Sequence, residues 1–480
     1  MNIHTNTHGL KMESKDFQAL VNKTQLSSNE RSHVWDLFKT EGVEKALSFI
    51  QKAQTKLDSI GQGLALRKTG LPYQIWGEEL IGPGAIAQMD GAMKLPISIA
   101  GALMPDAHEG YGLPIGGVLA TDNVVIPYAV GVDIACRMML TIYPVTSEVL
   151  KKTSSAEYHN LCSSLLNNTI FGSGSLGIHE GKIEHPILEK SRWSLSKITL
   201  GLRDTAIHQI GTSGTGNHFV EWGEFEIIDP NNPFQLSVGK YLALLSHSGS
   251  RGVGFKIASH YTELAKSLMP NLDSSVQHLA WLPLDQDLGR EYWESMELAG
   301  EFASANHHVI HQRVAEAAGL TPIGSVENHH NFAWREKIIL NGIEKELIVH
   351  RKGATPAQKG VLGVIPGTMA DAGYVVIGKG NVDSLNSASH GSGRLMSRTN
   401  AKKTITPIQQ ATYLEQRGIH LVGGGLDEAP QAYKSIDAVM DAQKDLVDVI
   451  GKFQPKIVRM ASEENSNHRA RMPKGIVEGE

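Results

Sequence analysis

Beyond Leu71 the apolar residues come mainly in short runs cut by Gly, Pro and Asn: LPISIAGALM, VVIPYAVGVDIAC, YLALLSH and YVVIGKG. Runs of that length between turn formers read as strands feeding into loops. The 49 glycines among 480 residues fit this texture. They suit tight turns or close backbone approach to a ligand better than long uninterrupted helices. Helical patterns fall between the runs, over 156–167, 254–269, 290–318 and 431–454. There is no internal repeat, low-complexity tract or long linker to divide residues 71–480. One large mixed α and β catalytic body is expected. Ahead of it, Val34, Leu37 and Phe38, then Val43, Leu47 and Ile50, recur at helical spacing around a break at Glu41 and Gly42. Two amphipathic helices are predicted there, forming a small unit that ends near Gly70. Residues 1–27 are polar and aperiodic, and a loosely held start is expected.

Charge and cysteine content exclude several classes. With 45 Lys and Arg against 50 Asp and Glu, the formal net charge is −5. That rules out nucleic-acid binding by bulk positive charge and leaves room for a local basic groove. Two cysteines, Cys136 and Cys162, cannot build a disulfide framework, which points to a reducing compartment. No apolar run approaches the ~20 residues that span a bilayer. The opening MNIHTNTHGLKMESKD lacks an apolar signal core. A cytoplasmic protein with no membrane partner is expected.

The 21 histidines are the unusual number, and residues with ligand chemistry recur where the apolar runs end. MPDAHEGYGLPIGG carries Asp106 and His108, VGVDIACRM carries Asp133 and Cys136, and GTSGTGNHF carries Asn217 and His218. LLSHSGSRG supplies His247 and Arg251, ENHHNFAW supplies His329 and His330, and HRKGATP supplies Arg351 and Lys352. SASHGSGR supplies His390 and Arg394. A thiolate, a carboxylate and imidazoles form a ligand set for divalent transition metals. Asp133 and Cys136 reach one site only if the backbone turns between them. Taken singly, such a cysteine is more often an inert core residue, and such a histidine a hydrogen-bonded one. Five together at run ends support a metal site without naming a reaction. Ligand softness alone favours zinc. SHSGSRG and SHGSGR each place Arg after a His and a Gly/Ser turn, a pattern suited to phosphate. A histidine there could be a ligand, a general acid or a nucleophile. Cys162 has no motif partner and reads as core.

Together with GTGNHFVEWG, PGTMADAGY, HGSGRLMSR and DEAPQAYKSID, in this order, these segments resemble the RtcB family of RNA-joining enzymes over residues 71–436. The resemblance implies an α+β fold: one catalytic body of mixed, largely antiparallel sheets with surrounding helices, following a helical extension over residues 1–70. It implies a GTP-dependent ligase with two manganese ions, which joins RNA 3′-phosphate or 2′,3′-cyclic-phosphate ends to 5′-hydroxyl ends in tRNA splicing and RNA repair. By motif match, Asp133, Cys136, His218, His247 and His330 hold the metals, with Cys136 bridging, and His390 becomes guanylylated. Asn217, Arg251, Lys352 and Arg394 match the phosphate-contacting group. Glu221 and Tyr433 match positions that hold the guanine, Thr368 is placed with the GTP- and phosphate-binding residues, and Lys474, before Gly475, stands for the lysine with which the family reads the guanine. The chain departs from the family's pattern at Thr368 and Gly373, where serines are common, and at His307, where Arg is frequent. Five residues follow Gly475, where the family usually stops. Partners implied are cleaved RNA, GTP and, in principle, an activating protein. Two other classes stay open on the residues alone: a metal-dependent phosphohydrolase without guanylylation, and an RNA-end-binding module. Lys352, Arg394, Arg398, Lys402 and Lys403 would form a basic lip or an ordinary solvated face.

Overall fold

A computed structural model describes residues 12–461, apart from 61–64, 175–176, 180–182 and 341 and the side chains of 58–60. Lys474 lies outside the described residues. The fold is α+β, as the resemblance implied, and its sheets are mainly antiparallel: among the described strands only Gln74–Ile75 with Ser98–His108, and His420–Gly423 with Val447–Met460, pair in parallel.

The larger sheet runs in the order Leu362–Ile365, Gly373–Gly378, Val447–Met460, Phe219–Ile227, Gly239–Ser248, Arg137–Thr146, Gly324–His329. Its two outer strands meet, with Val364 N donating to Asn328 Oδ1 at 2.8 Å, so the sheet nearly closes into a barrel. Alternation along the strands sorts the side chains. Met138, Leu140, Ile142, Phe225, Ala243, Leu245 and Phe453 fill the interior. Tyr143, Trp222, Leu242 and Leu244 face outward and are covered by Ile310 and Val314 of the Asp287–Ala318 helix. A second sheet, in the order Gln74–Ile75, Ser98–His108, Ile115–Thr121, Ile343–Lys352, Asn331–Leu340, stands beside the barrel. The two sheets are joined at His330, between Gly324–His329 and Asn331–Leu340.

Three expectations fail. The 431–454 stretch is not one helix: a short Ile436–Asp441 helix is followed by the Val447–Met460 strand. Its apolar spacing suits a helix, but both strand edges are paired, with Phe219–Ile227 and with Gly373–Gly378, and this outweighs local pattern. The apolar run before Asp133 is mostly not a strand: Val124–Val125 gives way to a Pro127–Val130 helical turn and a tight loop. The start is not all loose, because a Ser14–Asn22 helix buries Phe17 and Val21. Cys162 packs, half-buried, against the core cluster of Leu161, Leu165 and Trp222, with its sulfur 3.5 Å from His420 Nδ1.

The first three helices share an apolar cluster in which Phe17 stacks on Phe38 (centroids 4.1 Å) and meets Trp35 edge-on (5.1 Å). Ser27 and Glu30 form a capping box at the start of the second helix. Polar contacts tie this group to the body, through Ser28 N to Glu291 Oε2 (2.7 Å) and Gln25 Nε2 to Ser267 Oγ (2.9 Å). Phe17→Ala should cost about 3–5 kcal/mol locally. Hydrogen exchange should then rise in residues 14–57 while the barrel strands stay protected; equal loss of protection in both would refute this local role.

Candidate metal centre and reactive histidine

The antiparallel register gathers the predicted ligands at one barrel rim. Arg137 lies opposite both Ser248 and His329, and Phe219 lies opposite His247. Cys136, His218 and His330 are each one residue from these rows. Cys136 Sγ sits 3.4 Å from His218 Nε2 and 3.1 Å from His247 Nε2. His247 Nε2 is 3.4 Å from His330 Nε2, and Asp133 Oδ2 is 3.2 Å from His218 Nε2. The sulfur and the first two imidazoles are buried and close enough together to hold one ion.

Local backbone geometry makes this convergence possible. Ala135 adopts φ 58° and Cys136 N donates to Asp133 O (3.1 Å), so the chain turns between the carboxylate and the thiol. A Cβ on Gly249 would collide with the Asp133 carboxylate, and the glycine lets Ser250 N reach Asp133 Oδ1 at 3.0 Å. His218 Nδ1 faces Ser213 O (2.8 Å), and His247 Nδ1 faces Asn217 O (3.3 Å). Because a carbonyl only accepts, each Nδ1 carries the proton and each Nε2 lone pair points toward the sulfur. This donor set fits a transition metal.

Polar residues that the motif reading left unassigned lie behind it. Asn306 Oδ1 accepts from Gly211 N and Thr212 N, and its Nδ2 donates to Thr212 O, Ser248 Oγ and Gly249 O. One amide thus braces the loop holding His218 and the segment after His247. His307, where the family often has Arg, is held neutral by burial and bonds Ser246 Oγ (2.8 Å). His311 links the same hydroxyl to Thr141 Oγ1 and is pushed down to about 3 by burial.

His390 stands at the other side of His330, with ring centroids 4.9 Å apart. Asp106 Oδ2 accepts from His390 Nδ1 (2.7 Å), His390 N (3.0 Å) and Gly391 N (3.2 Å). Burial alone would raise the Asp106 carboxyl, but His390 and Lys434 beside it hold it below the usual range. The ionised Asp106 keeps the proton on Nδ1 and leaves the nucleophilic lone pair on Nε2. Lys434, buried and pushed down to about 8 by desolvation, donates to Pro105 O and Ala107 O on either side of Asp106. Asp106 was visible in MPDAHEG as ligand chemistry; its partnership with His390, 284 residues away, was not.

A cavity of about 70 Å³ opens beside His390, and Asn217, Thr368, Arg394 and Tyr433 help line it. Phe219 lines it too, and Glu221, two residues on along the strand, shares that face; burial raises its carboxyl well above the usual range. Thr368 Oγ1 donates to Asp371 Oδ2 (2.6 Å). Arg394 lies 4.8 Å over the Tyr433 ring and donates to Glu428 Oε2 (2.9 Å), which also accepts from the Tyr433 hydroxyl. Arg398 pairs with Glu428 as well, and Lys402 lies 3.8 Å from Asp427. The basic lip is therefore partly neutralised. Arg251 donates to Gly172 O (3.1 Å) near Asp133, whereas Lys352 donates to Tyr111 O (2.6 Å). Replacing Gly249 by Ala should cut bound metal per chain at least tenfold without removing a ligand, as Cys136→Ala should. Elemental analysis of both variants reads this directly, and wild-type metal content in both would refute the cluster.

The family model described as tRNA-splicing ligase RtcB matches residues 88–461. The RNA-splicing ligase RtcB of Escherichia coli K12 is 31% identical over 407 residues, covering 79% of this chain and 95% of that protein. The tRNA-splicing ligases RtcB of Aeropyrum pernix and Thermococcus kodakarensis are 30% and 27% identical, covering 74% and 77% of this chain and 85% and 88% of their own. Carrying Asp106, Cys136, His218, His247, His330 and His390 within the matched span, the chain belongs to the tRNA-splicing ligase RtcB family.

Proposed function

We propose that this protein is an RNA ligase that joins 3′-phosphate or 2′,3′-cyclic-phosphate ends to 5′-hydroxyl ends through GMP carried on His390. The observation that carries this reading is the buried His390, oriented by Asp106 and 4.9 Å from His330 of the thiol and imidazole cluster. Hydrolysis would not require a histidine whose Nε2 is set up as a nucleophile by a buried carboxylate.

His390 Nε2 attacks the α-phosphorus of GTP; a P–N bond forms, the P–O bond to pyrophosphate breaks, and pyrophosphate leaves. A cyclic-phosphate end is first opened by water to the 3′-phosphate. An oxygen of that phosphate attacks the GMP phosphorus, the P–N bond breaks, and an activated 3′-end results. The RNA 5′-hydroxyl then attacks the terminal 3′-phosphorus and GMP leaves. Asp106 stabilises the proton kept on Nδ1 throughout the first two steps. Asp133, Cys136, His218, His247 and His330 would hold two manganese ions, which supply offsetting positive charge to the phosphates. Asn217, Arg251, Lys352 and Arg394 are assigned to phosphate, Thr368 to GTP, and Glu221, Tyr433 and Lys474 to guanine. Residues 1–70 are read as an added helical unit on the catalytic body over 71–480, and the protein as cytoplasmic. Among the described residues no helix is long and apolar enough to cross a membrane.

Incubation with α-phosphate-labelled GTP and Mn²⁺ should leave label on the wild-type chain and none on His390→Ala. Absence of label from the wild type would favour the phosphohydrolase instead. Asp106→Asn should slow adduct formation by about 10²-fold or more, since general positioning of an imidazole proton is worth that much. An unchanged rate would remove Asp106 from the mechanism.

A further inference from the structure

Beside the reactive histidine lies a cleft of about 1490 Å³. It shares His108, Arg394 and Arg398 with the small cavity at His390, so the two spaces adjoin. The cleft exceeds the roughly 300–1,000 Å³ of a small-molecule pocket, and an oligomeric ligand suits it better.

Aromatic rings form one part of its wall. Tyr111 and His278 both line the cleft, with ring centroids 6.0 Å apart at 71°. Buried Tyr128 backs them, 5.2 Å from His278 and 6.5 Å from Tyr111. Lys352 fixes this wall, its ammonium donating to Tyr111 O and lying 4.9 Å over the Tyr128 ring. Gly353, the next residue, packs against His390, so wall and reactive ring share one support. His278 Nδ1 is buried and has no hydrogen-bond partner among the described residues. Burial and the nearby Lys266 and Lys352 lower its pKa, so the ring is neutral and offers the cleft a π face.

The charge on the walls is nearly balanced. Arg394 and Arg398 mark the end next to His390, and Lys94 and Lys434 add two cations. Asp90, Glu109 and Asp273 oppose them. A duplex held by many phosphates would gain little here. A single strand that stacks its bases and offers few phosphates would gain more.

We infer that this cleft seats a single-stranded RNA 3′ end, with bases against Tyr111 and His278 and the terminal 3′-phosphate toward Arg394 and Arg398. The inference rests on the ligase reading above, and the test separates the two. Fluorescent single-stranded RNAs, one beginning with a 5′-hydroxyl and one ending in a 3′-phosphate, are titrated with full-length protein; affinity lost in the variants by the 5′-hydroxyl RNA alone would overturn the inference, and the expected effect falls on the 3′-phosphate RNA. Tyr111→Ala and His278→Ala should each raise Kd for that RNA roughly tenfold, while Tyr111→Phe stays near wild type. GMP adduct formation should be unchanged in all three. With about two phosphate contacts, the log–log salt slope should be near −1.5. Unchanged RNA affinity in both alanine variants would overturn the inference, as would loss of GTP uptake with RNA affinity intact, which would place the nucleotide in the cleft. A protein that never takes up GMP, yet loses RNA affinity in Tyr111→Ala, would overturn the reaction assigned above and support the cleft.

Discussion

The structure depends on strand register at one rim of the barrel. A shift of one residue in any strand there would turn its side chains to the other face. Arg137 is held opposite Ser248 on one side and His329 on the other, and Phe219 is held opposite His247. Those rows place a thiol and three imidazoles within hydrogen-bonding distance, though they come from positions up to 194 residues apart in number, Cys136 to His330. The interior residues Leu140, Phe225, Leu245 and Phe453 set the register, because only this alignment buries them together. The same packing that stabilises the barrel therefore assembles the ligand set.

Register brings the side chains near; hydrogen bonds decide which atom faces inward. The carbonyls of Ser213 and Asn217 take the Nδ1 protons of His218 and His247, and Asp106 takes that of His390. In each ring Nε2 is left with the lone pair, at the metal candidates toward Cys136 and at His390 as the atom that the proposed reaction would use. A carbonyl acceptor leaves a neutral ligand, whereas a carboxylate stabilises the cation that forms when the ring reacts. The choice of acceptor thus distinguishes His390 from His218 and His247 among chemically identical side chains, in the sense the proposed roles require. Asn306 extends the control one layer outward by tying together the backbone on which two of these histidines ride.

Much of this was legible in the residues. Asp133, Cys136, His218, His247, His330 and His390 stood out as ligand chemistry beside turn formers, and the structure places them together, although Asp133 and Cys136 follow a helical turn rather than a strand. What local pattern could not show were relations between distant segments. Nothing near SASHGSGR points to Asp106, and nothing near DEAPQAYK shows that Lys434 grips the carbonyls beside that carboxylate. The 431–454 stretch misled because Ile436, Val439, Met440, Val447 and Ile450 repeat at helical spacing. Pairing on both edges of Val447–Met460 satisfies its backbone as a helix would, and it buries more side chains in the sheet than a surface helix could. The Ser14–Asn22 helix was hidden for the opposite reason, since only Phe17 and Val21 of its nine residues are buried.

The paired charges around Tyr433 bear on how an acidic chain would recruit phosphate in the proposed reaction. Arg394 and Arg398 converge on one carboxylate, Glu428, whose other partner is the Tyr433 hydroxyl. A buried guanidinium without such a counter-charge would carry a heavy desolvation penalty. Glu428 therefore stabilises the two cations at a fixed place in the absence of ligand, at the expense of part of their attraction for one. An arriving phosphate must compete with this internal carboxylate, so a weak or singly charged anion gains little. A phosphate with several charged oxygens can engage both guanidiniums bidentately and outweigh it. The net charge of −5 is thus no obstacle to the proposed reaction: discrimination among anions there would come from competition within the site, not from the field of the whole surface.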